Sequence, residues 1–239
     1  KQFNNPDIKM ANKTKLWYLQ NFNFFETMKP SDMMDLENNT SMKAEKKKEI
    51  IYFPEEASDT IYFLKEGKVK ISKILDDGRS TVMQILGPGE IFGESSLLGG
   101  EQHENIAEVI EDAIICTIDK DIFTGMMMKN PGLTLRITRF IGWRLRHIES
   151  HVEDLVFKDA KQRIVSFLIR YIENFGKKMV DGWMVRPFIS QQDIADLTAV
   201  SRQTASQTLN ELKSVGLINF TRRFLSASSL DKLREISGD

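Results

Sequence analysis

Between Ile189 and Phe220 the chain carries polar side chains at spacings suited to reading a nucleic-acid duplex. Ser201 stands where it caps a helix running to about Ser214, and on that helix Arg202, Gln203, Ser206 and Gln207 gather near the N-terminal end of one face. An arginine donates two parallel hydrogen bonds to a guanine edge, and a glutamine pairs in the same way with adenine. A serine hydroxyl or a helix N-terminus holds a phosphate. The opposite face, with Ala205, Thr208, Leu209 and Leu212, is suited to burial. The alternative for this segment alone is a helical hairpin with a solvated polar face.

Several elements must hold that helix in place. Ser190, with Asp193 three residues on, predicts a capped first helix whose buried face is Ile194, Ala195 and Leu197. Gly216 stops the second helix, and Leu217 to Phe224 predict a hairpin wing. Upstream, Lys177 to Pro187 predict a hairpin around Asp181-Gly182, and Asp159 predicts the cap of a helix from Ala160 to about Phe175. Phe157, Lys158 and Asp159 read as a hinge. The helix before them, after Pro131, spaces Ile141, Ile148 and Leu155 by seven with Leu145 and Val152 between, a coiled-coil-like seam. Such a seam packs either on the chain's own β domain or, as the favoured reading, on a second copy in a homodimer.

From Ile50 to about Asp121 the texture is different. Runs rich in β-branched and aromatic residues (IIYF, TIYFL, KVKISKIL, STVMQIL, AEVI, AIICTI) alternate with turn signals at EGK, DDGR, GPGE and FGE, which predicts an antiparallel sandwich or barrel. Its interior either holds a small ligand or is simply packed. Before it, Pro30 to Asn39 predict a helix opened by Ser31, Lys43 to Glu49 read as a solvated connection, and Lys1 to Thr14 as a flexible arm.

The bulk numbers narrow the class. At 239 residues and 41% hydrophobic the chain is long enough for two cores, and no apolar run approaches a membrane span, so no membrane partner is expected. A single cysteine, Cys116, fits a reducing cytoplasm and excludes an internal disulfide. Cys116 reads as a small packed hydrophobe in AIICTI, with a redox sensor as the alternative. From Ala160 onward there are 12 Lys and Arg against 8 Asp and Glu, an excess of four positive charges in a chain of net charge −1. The C-terminal third is therefore the part suited to a polyanion. His147 and His151, four apart, could chelate a metal, but no further ligand stands beside them in sequence, and His103 reads as a solvated loop residue. No cofactor or metal is expected. A cupin-type oxygenase would need a His-x-His cluster, which is missing, and no nucleophile set or P-loop is present, so the chain is read as a non-enzyme.

GPGEIFGESSLL at Gly87 to Leu98, NPGLTLRITRFIGWRLR at Asn130 to Arg146 and SRQTASQTLNEL at Ser201 to Leu212, in that order, resemble the Crp/Fnr family, the transcription regulators typified by the cyclic-AMP receptor protein. The resemblance runs from about Phe22 to Ala227. It implies an α+β chain: an N-terminal arm over 1–20, an antiparallel, cyclic-nucleotide-binding-like β-roll (a double-stranded β-helix) over 21–129, a dimerisation helix over 130–157, and a winged helix-turn-helix over 158–239. It implies a cytoplasmic homodimer that binds double-stranded DNA at a near-palindrome and works with RNA polymerase, as activator or repressor. Arg202, Gln203 and Gln207, with Ser206 beside them, fall at base-reading sites, Ser190, Gln191, Ser201 and Thr204 at phosphate sites, and Arg223 on the wing.

Gly67, Gly78, Gly89 and Gly93 fall at the family's turn glycines, whereas Glu55 replaces one of them. Gly93, Glu94 and Ser95 open the family's phosphate cassette, but Glu104 and Asn105 stand where its Arg-Ser pair neutralises the cyclic phosphate. Ile148 and Glu149 stand where two hydroxyls bond adenine. A carboxylate facing a phosphate repels it, so cyclic AMP is not the expected effector, and the effector, if one exists, is unknown. Arg144 matches an arginine of the long helix and is a candidate partner of Glu94. The alternatives are a regulator that answers to a cyclic nucleotide or another small ligand through an unrecognised pocket, and a haem or metal sensor.

Overall fold

The computed structural model of the chain describes residues 14–20, 25, 28–99 and 101–238. The proposed arm through its thirteenth residue, and the start of the resemblance at Phe22, lie outside the described residues. The chain divides into two units, Lys1–Ile71 with Ile85–Trp143 and Ser72–Gln84 with Arg144–Asp239.

In the first unit, helix α1 (Lys15–Gln20) and helix α2 (Pro30–Asn39) precede the sheet. Residues 15–20, assigned to the arm from the sequence, are thus helical, and Tyr18 and Leu19 are buried. Ser31 does not open α2: Lys29 is the residue before the first turn, and Pro30 starts the helix with its φ already set. The strands are β1 (Thr40–Glu45), β2 (Ile50–Tyr52), β3 (Thr60–Ile74), β4 (Ser80–Leu86), β5 (Ile91–Phe92) and β6 (Ile106–Asp119). They run β1-β6-β3-β4 across the sheet, with β2 also on β6 and β5 on β3.

Three departures from the sequence reading have physical causes. The charged run from Lys43 is not only a connection, because its first three residues belong to β1, where Lys43 and Ala44 face Ile115 and Ile114 in an antiparallel register. TIYFL and KVKISKIL are one strand, and the EGK signal between them marks a crowded crossing. A Cβ on Gly67 would come within 2.7 Å of the Glu111 carbonyl and of Ala113 Cα, and φ there is 84°. Glu55, in the place of a glycine, itself adopts φ 69°; its N–H bonds the His103 carbonyl at 2.8 Å and the His103 N–H bonds the Glu56 carbonyl at 2.9 Å. The turn survives without its glycine because that pair of bonds holds it.

Helix α3 (Lys120–Lys129), capped by Asp119, and helix α4 (Pro131–Phe157) follow. Phe123, Leu133, Ile137 and Phe140 close one core over Phe63, Cys116 and Ile118, with Trp143 packed against its edge. Met126 and Met127 join that core, while Met128 is 81% exposed and fills nothing. A second core, between the strands, holds Tyr52, Leu64, Val69, Leu86, Phe92 and Val109.

In the second unit, helix α5 (Ala160–Phe175) starts at a capping box: Gln162 N–H donates to the Asp159 carboxylate at 2.8 Å, and Asp159 N–H to Gln162 Oε1 at 3.0 Å. The strands β7 (Lys177–Met179), β8 (Gly182–Val185), β9 (Ile218–Phe220) and β10 (Leu225–Ala227) form a sheet ordered β7-β8-β10-β9. Helices α6 (Gln191–Thr198) and α7 (Arg202–Ser214) lie between β8 and β9 in sequence, and α8 (Leu230–Ser237) ends the described chain.

Candidate nucleic-acid interface

Helix α6 begins where Ser190 Oγ accepts the Asp193 N–H at 3.0 Å and the Asp193 carboxylate accepts the Ser190 N–H at 3.0 Å. It buries Ile194, Ala195 and Thr198, with Leu197 only half-buried. The inner face thus takes in Thr198 beyond the predicted residues, and its hydroxyl is satisfied there by donating to the Ile194 carbonyl at 2.7 Å. Ala199, at φ 51°, turns the chain sharply. Two residues later Ser201 Oγ accepts the Thr204 N–H at 3.0 Å and starts α7.

On α7, Ala205, Thr208, Leu209 and Leu212 are all buried, so the helix can present only its other face. That face carries Arg202, Gln203 and Gln207 in the open and Ser206 half-buried, all in the first two turns. Ser190 and Ser201 lie exposed, and Gln191 and Thr204 half-buried, at the starts of α6 and α7, where unpaired backbone N–H groups and the helix dipole favour an anion. The Ser201 and Thr204 hydroxyls also lie 2.8 Å apart. Arg223 is exposed in the β9–β10 turn, which is closed by the Thr221 N–H bond to the Phe224 carbonyl at 2.9 Å. Arg222 is exposed beside it and adds a second cation, for which the Arg222-Arg223 doublet is the sequence signal. The arrangement offers planar donors and acceptors for base edges on one helix, with hydroxyls, N–H groups and cations for phosphate around it.

The residues matched to the cassette form a tight turn. Gly93 has φ 75°, and a Cβ there would come within 2.7 Å of the Thr60 carbonyl and 2.8 Å of the Tyr62 ring. Glu94 to Leu98 form a 3₁₀ turn in which Ser95 points to solvent, whereas Ser96 is buried and donates to the Gly93 carbonyl at 2.7 Å. Glu104 is exposed and Asn105 half-buried. His103, read from the sequence as solvated, is only 5% exposed: its ring stacks on Tyr52, and burial lowers its pKa more than Glu56 and Asp59 raise it. Tyr62 stacks on Phe92 at 4.8 Å, so four rings fill the roll beside the cassette. No local signal marks His103 for burial, since the aromatic partners come from other strands.

In the second unit Arg144 donates to Gln84 Oε1 at 2.7 Å. Along the predicted seam Leu145, Ile148, Val152 and Leu155 are 55%, 57%, 52% and 39% exposed, which is unusual for four large apolar side chains on one stripe. Ile141, assigned to the same seam, is half-buried and packs against the core of the first unit. His147 is exposed and His151 half-buried. Among the described residues no three His, Cys, Asp or Glu side chains are grouped to hold a metal ion, and no helix is long and apolar enough to cross a membrane.

Residues 43–130 match the family described as cyclic nucleotide-binding domain, and residues 162–236 the Crp-like helix-turn-helix domain. The chain is 27% identical to a CRP-like cAMP-activated global transcriptional regulator of Mycobacterium tuberculosis, over 74% of this chain and 80% of that protein. It is 27% identical to the anaerobic regulatory protein of Bacillus subtilis, over 79% and 80%. Among solved structures, FixK2 from Bradyrhizobium japonicum shares the fold with a TM-score of 0.73 at 24% identity, over 82% of this chain and 96% of that one. A CooA variant from Carboxydothermus hydrogenoformans gives 0.68 at 26%, over 84% and 88%.

Proposed function

We propose, for a chain that belongs to the Crp/Fnr family of transcription regulators, that it acts as a homodimer on a near-palindromic operator and does so without cyclic AMP. The observation that carries the reading is the polar face of α7, with Arg202, Gln203 and Gln207 exposed on a helix whose other face is buried. These three side chains and Ser206 reach base edges in the major groove. Ser190, Gln191, Ser201, Thr204 and Arg223 hold the backbone on either side. The half-exposed stripe of Leu145, Ile148, Val152 and Leu155 supports a second copy as partner, which sets two readers about one helical turn apart. Gln203 pairs with adenine, so the half-site carries an A·T pair at its position. Glu104 at the cassette and the stacked rings beside it support independence from cyclic AMP. RNA polymerase is the expected partner on the promoter.

The test is selection and sequencing of random duplexes bound by ligand-free protein at about 0.15 M salt, where non-specific phosphate binding is suppressed. A two-fold symmetric motif is expected. Enrichment of a single unrepeated half-site, or of nothing by a folded protein, would overturn the reading.

A further inference from the structure

The segment between α4 and α5 is short, and every polar group of Lys158 within it is engaged. Its N–H donates to the Asp154 carbonyl at 3.0 Å. Its ammonium lies 3.1 Å from the Asp154 carboxylate and 2.8 Å from Ser166 Oγ. Its carbonyl accepts from Arg163 NH1 at 3.0 Å. Asp154, itself buried, is also paired with Arg170 of α5 at 2.6 Å.

Arg163 does more than hold the hinge. Its Nε donates to the Thr198 carbonyl at 2.9 Å and its NH2 to the Ala199 carbonyl at 3.2 Å. These are the last carbonyls of α6, acceptors that a helix leaves without partners and that a cation suits. One planar guanidinium therefore ties the hinge carbonyl to the turn of the helix pair. Only Val200 stands between Ala199 and Ser201, the cap of the reading helix. A lysine has the charge but not the fork needed to hold three carbonyls at once.

We infer that Arg163 is a positioning residue: through Asp154, Lys158, Arg163 and Ala199 the direction of the long helix is delivered to the start of α7, so that the hinge sets the separation of the two half-sites at which the protein binds. The inference rests on the dimeric, operator-reading function proposed above. It replaces a free joint by a gripped one, and it assigns spacing specificity to a side chain that reads no base.

The test uses full-length protein and symmetric duplexes in which the selected half-sites are moved apart or together by one base pair. Each such step turns one half-site by about a tenth of a turn. Wild type, Arg163→Lys, Lys158→Met and the double variant are compared for binding, with thermal unfolding and affinity for random DNA measured alongside. Arg163→Lys is expected to lower the preference for the natural spacing by about tenfold, within the range of single-residue effects on coupling, with random-DNA affinity unchanged and only the modest fall in unfolding temperature that the lost carbonyl bonds bring. The double variant is expected to lose no more than Arg163→Lys, because both act in one path. Unchanged spacing preference in Arg163→Lys, an equal loss at every spacing with a lower unfolding temperature, or additive losses would each overturn the inference. A wild type with no preferred spacing would instead sink the dimeric reading, and this inference with it.

Discussion

The imidazole of His103 lies flat on the phenol ring of Tyr52, with ring centroids 3.7 Å apart and planes within 8°. This contact and the Tyr62–Phe92 stack pack aromatic rings beside Gly93, which supports the proposed independence from cyclic AMP. Cyclic AMP at millimolar concentration is therefore expected to leave the unfolding temperature of the protein unmoved. A ligand at 100 times its dissociation constant stabilises by about 2.7 kcal/mol, so a rise of several degrees in a thermal scan would refute independence from cyclic AMP.

The same stack makes stability depend on pH. Burial holds the His103 pKa below its ordinary value of 6.5. The unfolded chain thus takes up the proton first, and the contribution of the neutral ring, complete above that value, is lost as pH falls toward the lowered pKa. His103→Phe keeps a stacked ring and removes the proton. Its unfolding temperature relative to wild type is expected to rise between about pH 7 and about pH 5; a constant difference would show that His103 does not titrate there.

Lys65 is buried with its ammonium 5.4 Å from the ring centres of Phe25 and Phe63, and burial pushes its pKa down from 10.5 to about 7. Between those values the unfolded chain holds a proton that the fold releases, so the stability contribution of this group falls as pH falls through that window. Lys65→Met should add about 1–3 kcal/mol at neutral pH, and the gain should shrink as pH approaches 10.5. Denaturant unfolding at several pH values measures both; a loss of stability at pH 7 would mean that the two cation–ring contacts outweigh desolvation.

Arg202 and Arg223 should separate in binding assays. Arg202→Ala is expected to cost about 1–3 kcal/mol on the selected operator and to relax the requirement at one base pair, whereas Arg223→Ala should weaken all sequences alike and flatten the salt dependence by about one unit. Equal losses on operator and random DNA for Arg202→Ala would remove it from the base-reading set.

A charge in the exposed stripe should break the proposed dimer. Ile148→Glu leaves a side chain that is 57% exposed in one protomer and so costs little in the fold of that protomer, but it buries a carboxylate in a paired seam, at a cost of several kcal/mol. Sedimentation should show wild-type dimers and Ile148→Glu monomers at micromolar concentration. Unchanged association would move the interface off this stripe.

What the sequence makes legible follows from how local each signal is. Ser190 with Asp193, Ser201 and Asp159 were readable because a cap is formed by residues three apart. The inner face of α7 followed from helical spacing. Strand β1 was hidden because its Lys43 and Glu45 look like solvent-facing charge, and only pairing with β6 makes them a strand. Gly67 looked like a turn because the close approach of β6 is invisible along the chain. His103 and Arg163 are tertiary facts, one made by a ring on β2 and the other by carbonyls more than thirty residues downstream.

The position of β6 has a consequence for how the molecule comes into being. This one strand bonds β1, β2 and β3, and its register joins Thr40 to Ile118. Until Ile118 has left the ribosome, β1 lacks its neighbour and presents an open edge to any other chain nearby. Closing so long a loop is slow compared with forming helices. During synthesis the early strands therefore wait, exposed, for the segment that completes their sheet. Truncation before Asp119 is expected to yield an aggregating chain, and truncation after the long helix a closed roll.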